Sequence, residues 1–158
     1  MKIEEIMTKK LIKLTPDMEI RDALKLLVEN NIAGAPVTVG NKLVGIVTMR
    51  DILRYLDSEY KRQGWVLVPT PFEIIEIPRA QELPYEKITE IYDRIGGIKV
   101  SDIMQKKIYT IGPEDTIEDA VQLLIRWKIN RLPVIDKNGD LVGIVTRSDL
   151  LKAFLKKW

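Results

Sequence analysis

The sequence predicts an α/β (α+β) fold in which two pseudo-symmetric β-α-β-β-α repeats pack together, with an inserted segment between them. Three observations carry this prediction. The stretch "VGIVTMRDIL" at residues 44–53 returns as "VGIVTRSDLL" at residues 142–151. The similarity continues on both sides of this stretch at a nearly constant offset. Each copy also alternates β-prone runs with helical patterns in the same order.

Matched pairs of residues fix the extent of the repeat. Pro16 returns as Pro113 and Asp22 returns as Asp119, so the second copy lies 97 residues further along the chain. The offset becomes 98 after the turn between the two later β runs, and turns tolerate such an insertion best. The predicted division is residues 1–56 for the first repeat, 57–98 for the inserted segment and 99–158 for the second repeat.

Each repeat begins with a short β-prone run and a helix. The β-prone runs are "LIKL" in the first copy and "IYTI" in the second. Apolar residues then recur at i, i+3, i+4 and i+7, starting at Ile20 and again at Ile117, which indicates an amphipathic helix. Thr116 and Asp119 predict a capping box for the second of these helices, whereas the first copy has Glu19 at the cap position.

A hairpin and a last helix complete each repeat. Two β runs flank a Gly-Asn pair in the first copy and an Asn-Gly pair in the second, and this pattern is typical of a β-hairpin. Apolar residues on one face of residues 52–56 and 150–155 predict the last helix. Neither copy alone could bury both of its helices well, so we expect the copies to pack on each other.

The inserted segment has no counterpart in the repeat. "WVLVPTPFEIIEIP" is rich in β-forming residues but contains three prolines, which predicts extended edge segments or a flap. "LPYEKITEIYDRIGG" predicts a helix that starts near Pro84 and stops at Gly96 and Gly97. We expect this helix to pack on the repeats or on a second subunit.

The composition removes several classes of function. There is no cysteine and no histidine, which excludes disulfides, thiolate metal sites and every Ser-His or Cys-His dyad. Without clustered acids such as DxD, a carboxylate-based hydrolase is also disfavoured, and we predict a chain that is not an enzyme. The net charge of +2 disfavours a dedicated nucleic-acid binder.

The N-terminus and the apolar runs bear on location. "MKIEEIMTKKLIKL" carries acids early and has no continuous apolar core, so it does not resemble a signal peptide. No apolar run approaches the roughly 20 residues that a membrane helix needs. These features predict a cytoplasmic protein that does not associate with a membrane.

The repeated "GIVTxxD" has two interpretations. In the first, Thr48 with Asp51 and Thr146 with Asp149 are capping boxes that stabilise the start of a helix. In the second, the same helix start receives a phosphate, while the carboxylate accepts hydrogen bonds from a ribose diol. The strand glycine before the threonine would then let a flat ring approach the backbone.

The repeat resembles the CBS domain, named after cystathionine β-synthase. The order β-α-β-β-α, the "hP" pairs at Ala35-Pro36 and Leu132-Pro133, and "GIVTxxD" carry the resemblance. It covers roughly residues 1–56 and 99–156 and is similar to a tandem CBS pair, or Bateman module. Such pairs commonly bind AMP, ADP, ATP or S-adenosylmethionine in two clefts, and two modules often associate through their helices.

The resemblance implies an adenosine-containing ligand and its contacts. The backbone of the "hP" pairs would meet the edge of the adenine, and aliphatic side chains would flank its ring. No metal is implied, and the adenine nucleotide is a regulatory ligand rather than a cofactor. The implied contacts are Asp51 and Asp149 for ribose; Thr48, Thr146, Arg147, Arg131, Lys13 and Thr110 for phosphate; and Ile12, Ala35, Pro36, Ile46, Leu132, Pro133 and Ile144 for adenine.

The two copies differ at the phosphate positions. Thr110 has Lys13 as its counterpart in the first copy, and Arg131 replaces Gly34. Arg147 follows Thr146, where the first copy has methionine. Arginine can bind phosphate through two parallel hydrogen bonds, so the second cleft is better equipped for a phosphorylated ligand.

These observations predict a non-catalytic module that binds an adenosine-containing ligand and signals by a conformational or oligomeric change. The expected partners are a second copy, bound through the helices, and an unidentified effector protein. The alternative is an interaction or dimerisation module that binds no nucleotide, in which both Thr-x-x-Asp pairs only cap helices.

Overall fold

The computed structural model describes residues 1–69, 74–78 and 85–158. The elements, in chain order, are a 3-10 turn at Ile3–Glu5, α1 (Ile20–Glu29), β1 (Gly34–Val39), β2 (Lys42–Thr48), α2 (Met49–Gly64), β3 (Trp65–Pro69), β4 (Ile74–Pro78), α3 (Tyr85–Gly96), α4 (Val100–Ile103), α5 (Ile117–Trp127), β5 (Arg131–Ile135), β6 (Leu141–Thr146) and α6 (Arg147–Leu155).

The predicted fold of two β-α-β-β-α repeats is confirmed, with one change in the first element of each. β1 pairs with β2 and β5 pairs with β6, as the Gly/Asn turns predicted. The runs "LIKL" and "IYTI" are not strands. Each contributes a single parallel bridge to its hairpin, Leu14 to Val37 and Ile111 to Val134. The chain turns away directly afterwards, towards Pro16 and Pro113, so no longer ladder can form.

The opening segment of each repeat pairs with the other repeat. Thr8 exchanges both backbone hydrogen bonds with Ile144, at 2.8 and 3.0 Å. Gln105 does the same with Ile46, at 2.8 and 3.0 Å, at the equivalent positions of the two copies. The opening residues of each repeat therefore form backbone hydrogen bonds with the hairpin of the other repeat.

Ile3 shows what this exchange contributes to the core. Its backbone N–H donates to the carbonyl of Asp115 at 2.9 Å, and its side chain is completely buried. The buried cluster around it otherwise comes from the second repeat: Ile111, Ile117, Ala120, Leu124, Leu132, Val134, Val145, Leu150 and Ala153. Val100, the counterpart of Ile3, is also fully buried and donates its N–H to Met18 O at 2.8 Å.

The inserted segment forms a hairpin and the predicted helix. β3 pairs antiparallel with β4, from Trp65 opposite Pro78 to Pro69 opposite Ile74. α2 runs on to Gly64, past the end of the first repeat at residue 56. α3 ends at Gly96, as predicted, while Pro71 and Pro84 lie outside the described residues.

α3 packs on the helices of the first repeat. The Arg94 guanidinium donates to Glu59 Oε2 at 2.6 Å, and the Glu59 side chain is only 4% exposed. Arg21 of α1 donates to the carbonyl of Asp93 at 3.2 Å and lies against Gly96. The expectation that this helix packs on the repeats is confirmed.

Contacts divide the described residues into two compact units. The first unit holds residues 1–16, 35–46 and 105–158, and the second holds residues 17–34 and 47–104. Each unit contains segments of both repeats, which follows from the exchanged opening segments. Among the helices that the structure describes, none combines the length and apolar character needed to cross a lipid bilayer.

Candidate functional site

The junction of β6 and α6 is a capping box. The backbone N–H and the hydroxyl of Thr146 donate to Asp149 Oδ2, at 2.8 and 2.9 Å. The N–H of Asp149 donates back to Thr146 Oγ1 at 3.4 Å. Both side chains are partly buried, and the bonds use one oxygen of the carboxylate. The cap predicted from "GIVTxxD" is therefore present.

The equivalent junction in the first repeat has the same geometry. The N–H and the hydroxyl of Thr48 donate to Asp51 Oδ2, at 2.8 and 2.9 Å. Asp51 is 8% exposed. The next residue also repeats its contact: Met49 N–H donates to Ala33 O at 2.8 Å, as Arg147 N–H does to Asn130 O at 3.2 Å. The duplicated sequence thus produces a duplicated junction.

A third box supplies an internal comparison. Thr116 donates its N–H and hydroxyl to Asp119 Oδ2 at 3.0 and 2.7 Å, at the start of α5. These hydrogen bonds hold the pKa of Asp119 below its usual range. Thr116 and Asp119 are both exposed, whereas the two strand-helix boxes are partly buried. Burial, and not the hydrogen-bond pattern, distinguishes the duplicated junctions from this ordinary helix cap.

The β5–β6 hairpin brings several predicted contacts of the second repeat together. Arg131 lies directly opposite Thr146, and Pro133 lies opposite Ile144. Because side chains alternate along a strand, these four share one face of the hairpin. Thr110, which is exposed, precedes the residue that bridges to this hairpin.

The opposite face of this hairpin belongs to the core. Leu132 pairs with Val145, and both side chains are completely buried. Pro133 is also fully buried, although it lies on the face that carries Arg131 and Thr146. Leu132 can therefore offer a ligand its backbone but not its side chain. Arg147 is exposed and lines a groove between α5 and α6.

The predicted contacts of the first repeat fall in both compact units. Thr48 and Asp51 belong to the second unit, and the others belong to the first. Of these, Lys13 is exposed and Ile12 and Ile46 are partly buried. Ala35 and Pro36 are buried, and the Pro36 carbonyl accepts the Leu14 N–H at 2.9 Å.

The strand glycine of the second repeat has a different role from the one expected for a ligand ring. A Cβ on Gly143 would lie 2.5 Å from Met7 Sδ and 3.2 Å from the carbonyl of Thr8. The exchanged opening segment, and not open space, faces this glycine. The expectation that Gly143 admits a flat ring is wrong, and the missing side chain instead relieves crowding against Met7 and Thr8.

Substituting Gly143 with valine should destabilise the fold by about 1–3 kcal/mol, because the added atoms overpack a buried strand. The free energy of unfolding from urea titrations measures the effect. A smaller substitution, Gly143→Ala, tests the contact with Met7. The loss of unfolding free energy that it causes should be smaller in a Met7→Ala variant than in the wild-type chain, because Met7→Ala removes the nearest atoms. Equal penalties in the two backgrounds would contradict the contact with Met7.

Three neighbours of the site were missed by sequence reasoning. Met7 and Thr8 lie along β6, although they come from the first repeat. Tyr109 stacks on Trp127 with ring centroids 4.3 Å apart. The offset of 97 residues makes Tyr109 the counterpart of Ile12, and this offset could have found it.

The described side chains contain no group of three or more carboxylates that could hold a metal ion. A partly buried helix start offers N–H groups to an anion, and a carboxylate offers acceptors to hydroxyl groups.

Comparisons with known proteins agree with the duplication. The sequence profile described as "CBS domain" matches residues 3–58 and again residues 100–156. Uncharacterized protein MJ1426 of Methanocaldococcus jannaschii is 38% identical over 156 residues, which cover 98% of this chain and 92% of that protein. Inosine-5'-monophosphate dehydrogenase of Korarchaeum cryptofilum is 31% identical over 147 residues, but the match spans only 23% of that enzyme.

A solved structure with the same architecture contains a nucleotide. The crystal structure of CBSX2 in complex with AMP superposes with a TM-score of 0.70 at 29% identity, covering 99% of this chain and 97% of that one. CBSX2 is a CBS-pair protein from Arabidopsis thaliana.

Proposed function

Because this chain belongs to the CBS-domain family and carries two copies of the domain, we propose that it is a regulatory module that binds an adenosine-containing ligand. The observation that carries the proposal is the second strand-helix junction, where Arg131 lies opposite Thr146 and next to the box formed with Asp149. CBSX2, which shares the fold at 29% identity, was solved with AMP.

The ligand would contact the second junction through its phosphate and its ribose. Its phosphate would lie against the hydroxyl of Thr146 and the guanidinium of Arg131, at the start of α6, with Thr110 and Arg147 nearby. The capping bonds engage Asp149 Oδ2, so Oδ1 is the oxygen proposed to accept the ribose hydroxyls. AMP, ADP or ATP fits these groups better than S-adenosylmethionine, since a sulfonium gains nothing from two arginines.

The first junction would bind more weakly. It retains Thr48 and the nearly buried Asp51, but glycine and methionine stand where the second copy has Arg131 and Arg147. The counterpart of Thr110 in its sequence is Lys13, and an ammonium acts on phosphate only as a point charge. In the second cleft, the adenine would be flanked by Ile144.

The module would act without catalysis and pass its signal to other proteins. The ligand would favour one arrangement of the repeats, or of two copies joined through their helices, and that arrangement would be the output. Such a dimer is supported by exposed apolar residues at equivalent positions: Val28 and Ile125, and Leu53 and Leu151. The effector protein that receives the signal is unidentified.

A second candidate function is an interaction module that binds no nucleotide. The box at Thr116 and Asp119 favours it, because the same hydrogen bonds form there on an exposed helix that no ligand is expected to touch. If capping is the sole role of all three boxes, the partly buried junctions serve stability alone.

A ligand panel distinguishes the two functions. AMP, ADP, ATP and S-adenosylmethionine are added separately at millimolar concentration, and the unfolding midpoint is followed by circular dichroism. A ligand at 100 times its Kd stabilises a folded protein by about 2.7 kcal/mol, so at least one adenine nucleotide should raise the midpoint. Unchanged midpoints with all four compounds would support the interaction module instead.

A further inference from the structure

The opening segment of the first repeat carries a polar side chain to the second junction. Thr8 forms an antiparallel bridge with Ile144, and the two residues exchange both backbone hydrogen bonds. Residues that lie directly opposite each other in such a bridge place their side chains on the same face, with Cβ atoms about 5 Å apart. The side chain of Thr8 therefore lies beside the side chain of Ile144.

The position of the neighbouring residue agrees with this orientation. Side chains alternate along an extended segment, so Met7 should point to the opposite face from Thr8. The sulfur of Met7 does face Gly143 there, and Met7 packs against the buried cluster of the second repeat. Thr8, in contrast, is exposed. The opening segment thus presents Met7 to the core and Thr8 to the face on which the hairpin carries Arg131 and Thr146.

Burial shows which side of Ile144 is open to a ligand. Pro133, which lies across from Ile144 on the other strand of the hairpin, is fully buried. Ile144 itself is partly exposed, and Thr8 on its other side is exposed. In the part of the chain that the structure describes, the Thr8 hydroxyl has no hydrogen-bond partner. A flat ring that lies against Ile144 would therefore have a hydroxyl group available at its edge.

We propose that Thr8 is a specificity-determining residue of the second cleft, where its hydroxyl forms a hydrogen bond with the edge of the ligand's purine base. A threonine hydroxyl can both donate and accept, and the edge of adenine offers ring nitrogens that accept and an amino group that donates. A residue of the first repeat would then complete the cleft of the second. This inference rests on the proposed function, in which the adenine lies against Ile144.

Isosteric replacement of Thr8 tests the proposal. Thr8→Val removes the hydroxyl but keeps the shape, so the Kd of the tighter AMP site, measured by calorimetry, should rise about two- to tenfold. Thr8→Ser keeps the hydroxyl and should bind AMP like the wild-type chain. Thr15→Val is the matched control, because Thr15 is also exposed but is not among the described residues that bridge to β6. Without ligand, the unfolding midpoints of these variants should stay at the wild-type value, since surface substitutions change stability little.

Ribose 5-phosphate identifies the part of the ligand that Thr8 contacts, because it offers the sugar and the phosphate without a base. Its Kd, measured by displacement of AMP, should be the same for the wild-type chain and Thr8→Val. Equal AMP affinities of these two chains, or a loss of affinity that extends to ribose 5-phosphate, would overturn the inference and leave the proposed function intact. A wild-type chain that binds no adenine nucleotide would overturn the proposed function itself, and this inference with it.

Discussion

Replacing Asp149 with alanine should abolish the stabilisation that AMP gives the wild-type chain, about 2.7 kcal/mol at 100 times the Kd. The variant loses the carboxylate that is proposed to hold the ribose, together with the hydrogen bonds to Thr146. Loss of the cap alone costs about 0.5–2 kcal/mol with or without ligand. Urea titrations at several AMP concentrations separate the two effects, because only binding depends on ligand concentration.

Asp119→Ala is the matched control. It removes the same set of capping bonds, from an exposed helix start that lies outside the proposed site. Its stability without ligand should fall by a similar amount, and its response to AMP should remain complete. An Asp149→Ala variant that responds to AMP as Asp119→Ala does would show that the carboxylate of Asp149 is only a cap. Asp51→Ala gives the same comparison for the first cleft.

Replacing Ile3 with alanine should destabilise the fold by about 2–5 kcal/mol, although this residue lies close to the chain terminus. Its side chain is completely buried in a cluster built by the second repeat, and a cavity there cannot collapse easily. The free energy of unfolding from urea titrations measures the loss.

Val39→Ala is the control for this second prediction. Val39 is 58% exposed, and its truncation should change the free energy of unfolding by less than about 0.5 kcal/mol. A small effect of Ile3→Ala, within that same limit, would mean that the opening segment does not complete the core of the second repeat.

The duplication made most of the fold predictable. Hydrophobic periodicity and Gly/Asn turns located α1, α5 and both hairpins, since these signals are local in the chain. The exchange of the opening segments was not predicted. It depends on which edge of a hairpin is left to be paired, and a single sequence contains no local signal for such a choice.

The site was predictable in part, for the same reason. The boxes at Thr48 and Thr146 follow from spacing within one helical turn, and the structure contains both. The role of Gly143 could not be decided from the sequence because the atoms that face it belong to Met7, far away in the sequence. That Leu132 is turned into the core follows from the register of the hairpin, which spacing along one strand does not reveal.

The exchanged opening segments have a consequence for the assembly of the molecule. The cluster around Ile3 and the contact of Val100 with Met18 each join residues that lie far apart in the chain. A break between β3 and β4 would leave two polypeptides, each lacking a part that the other carries. We expect such fragments to remain incomplete when separate and to recover a native structure on mixing, so the module is suited to use as a split protein.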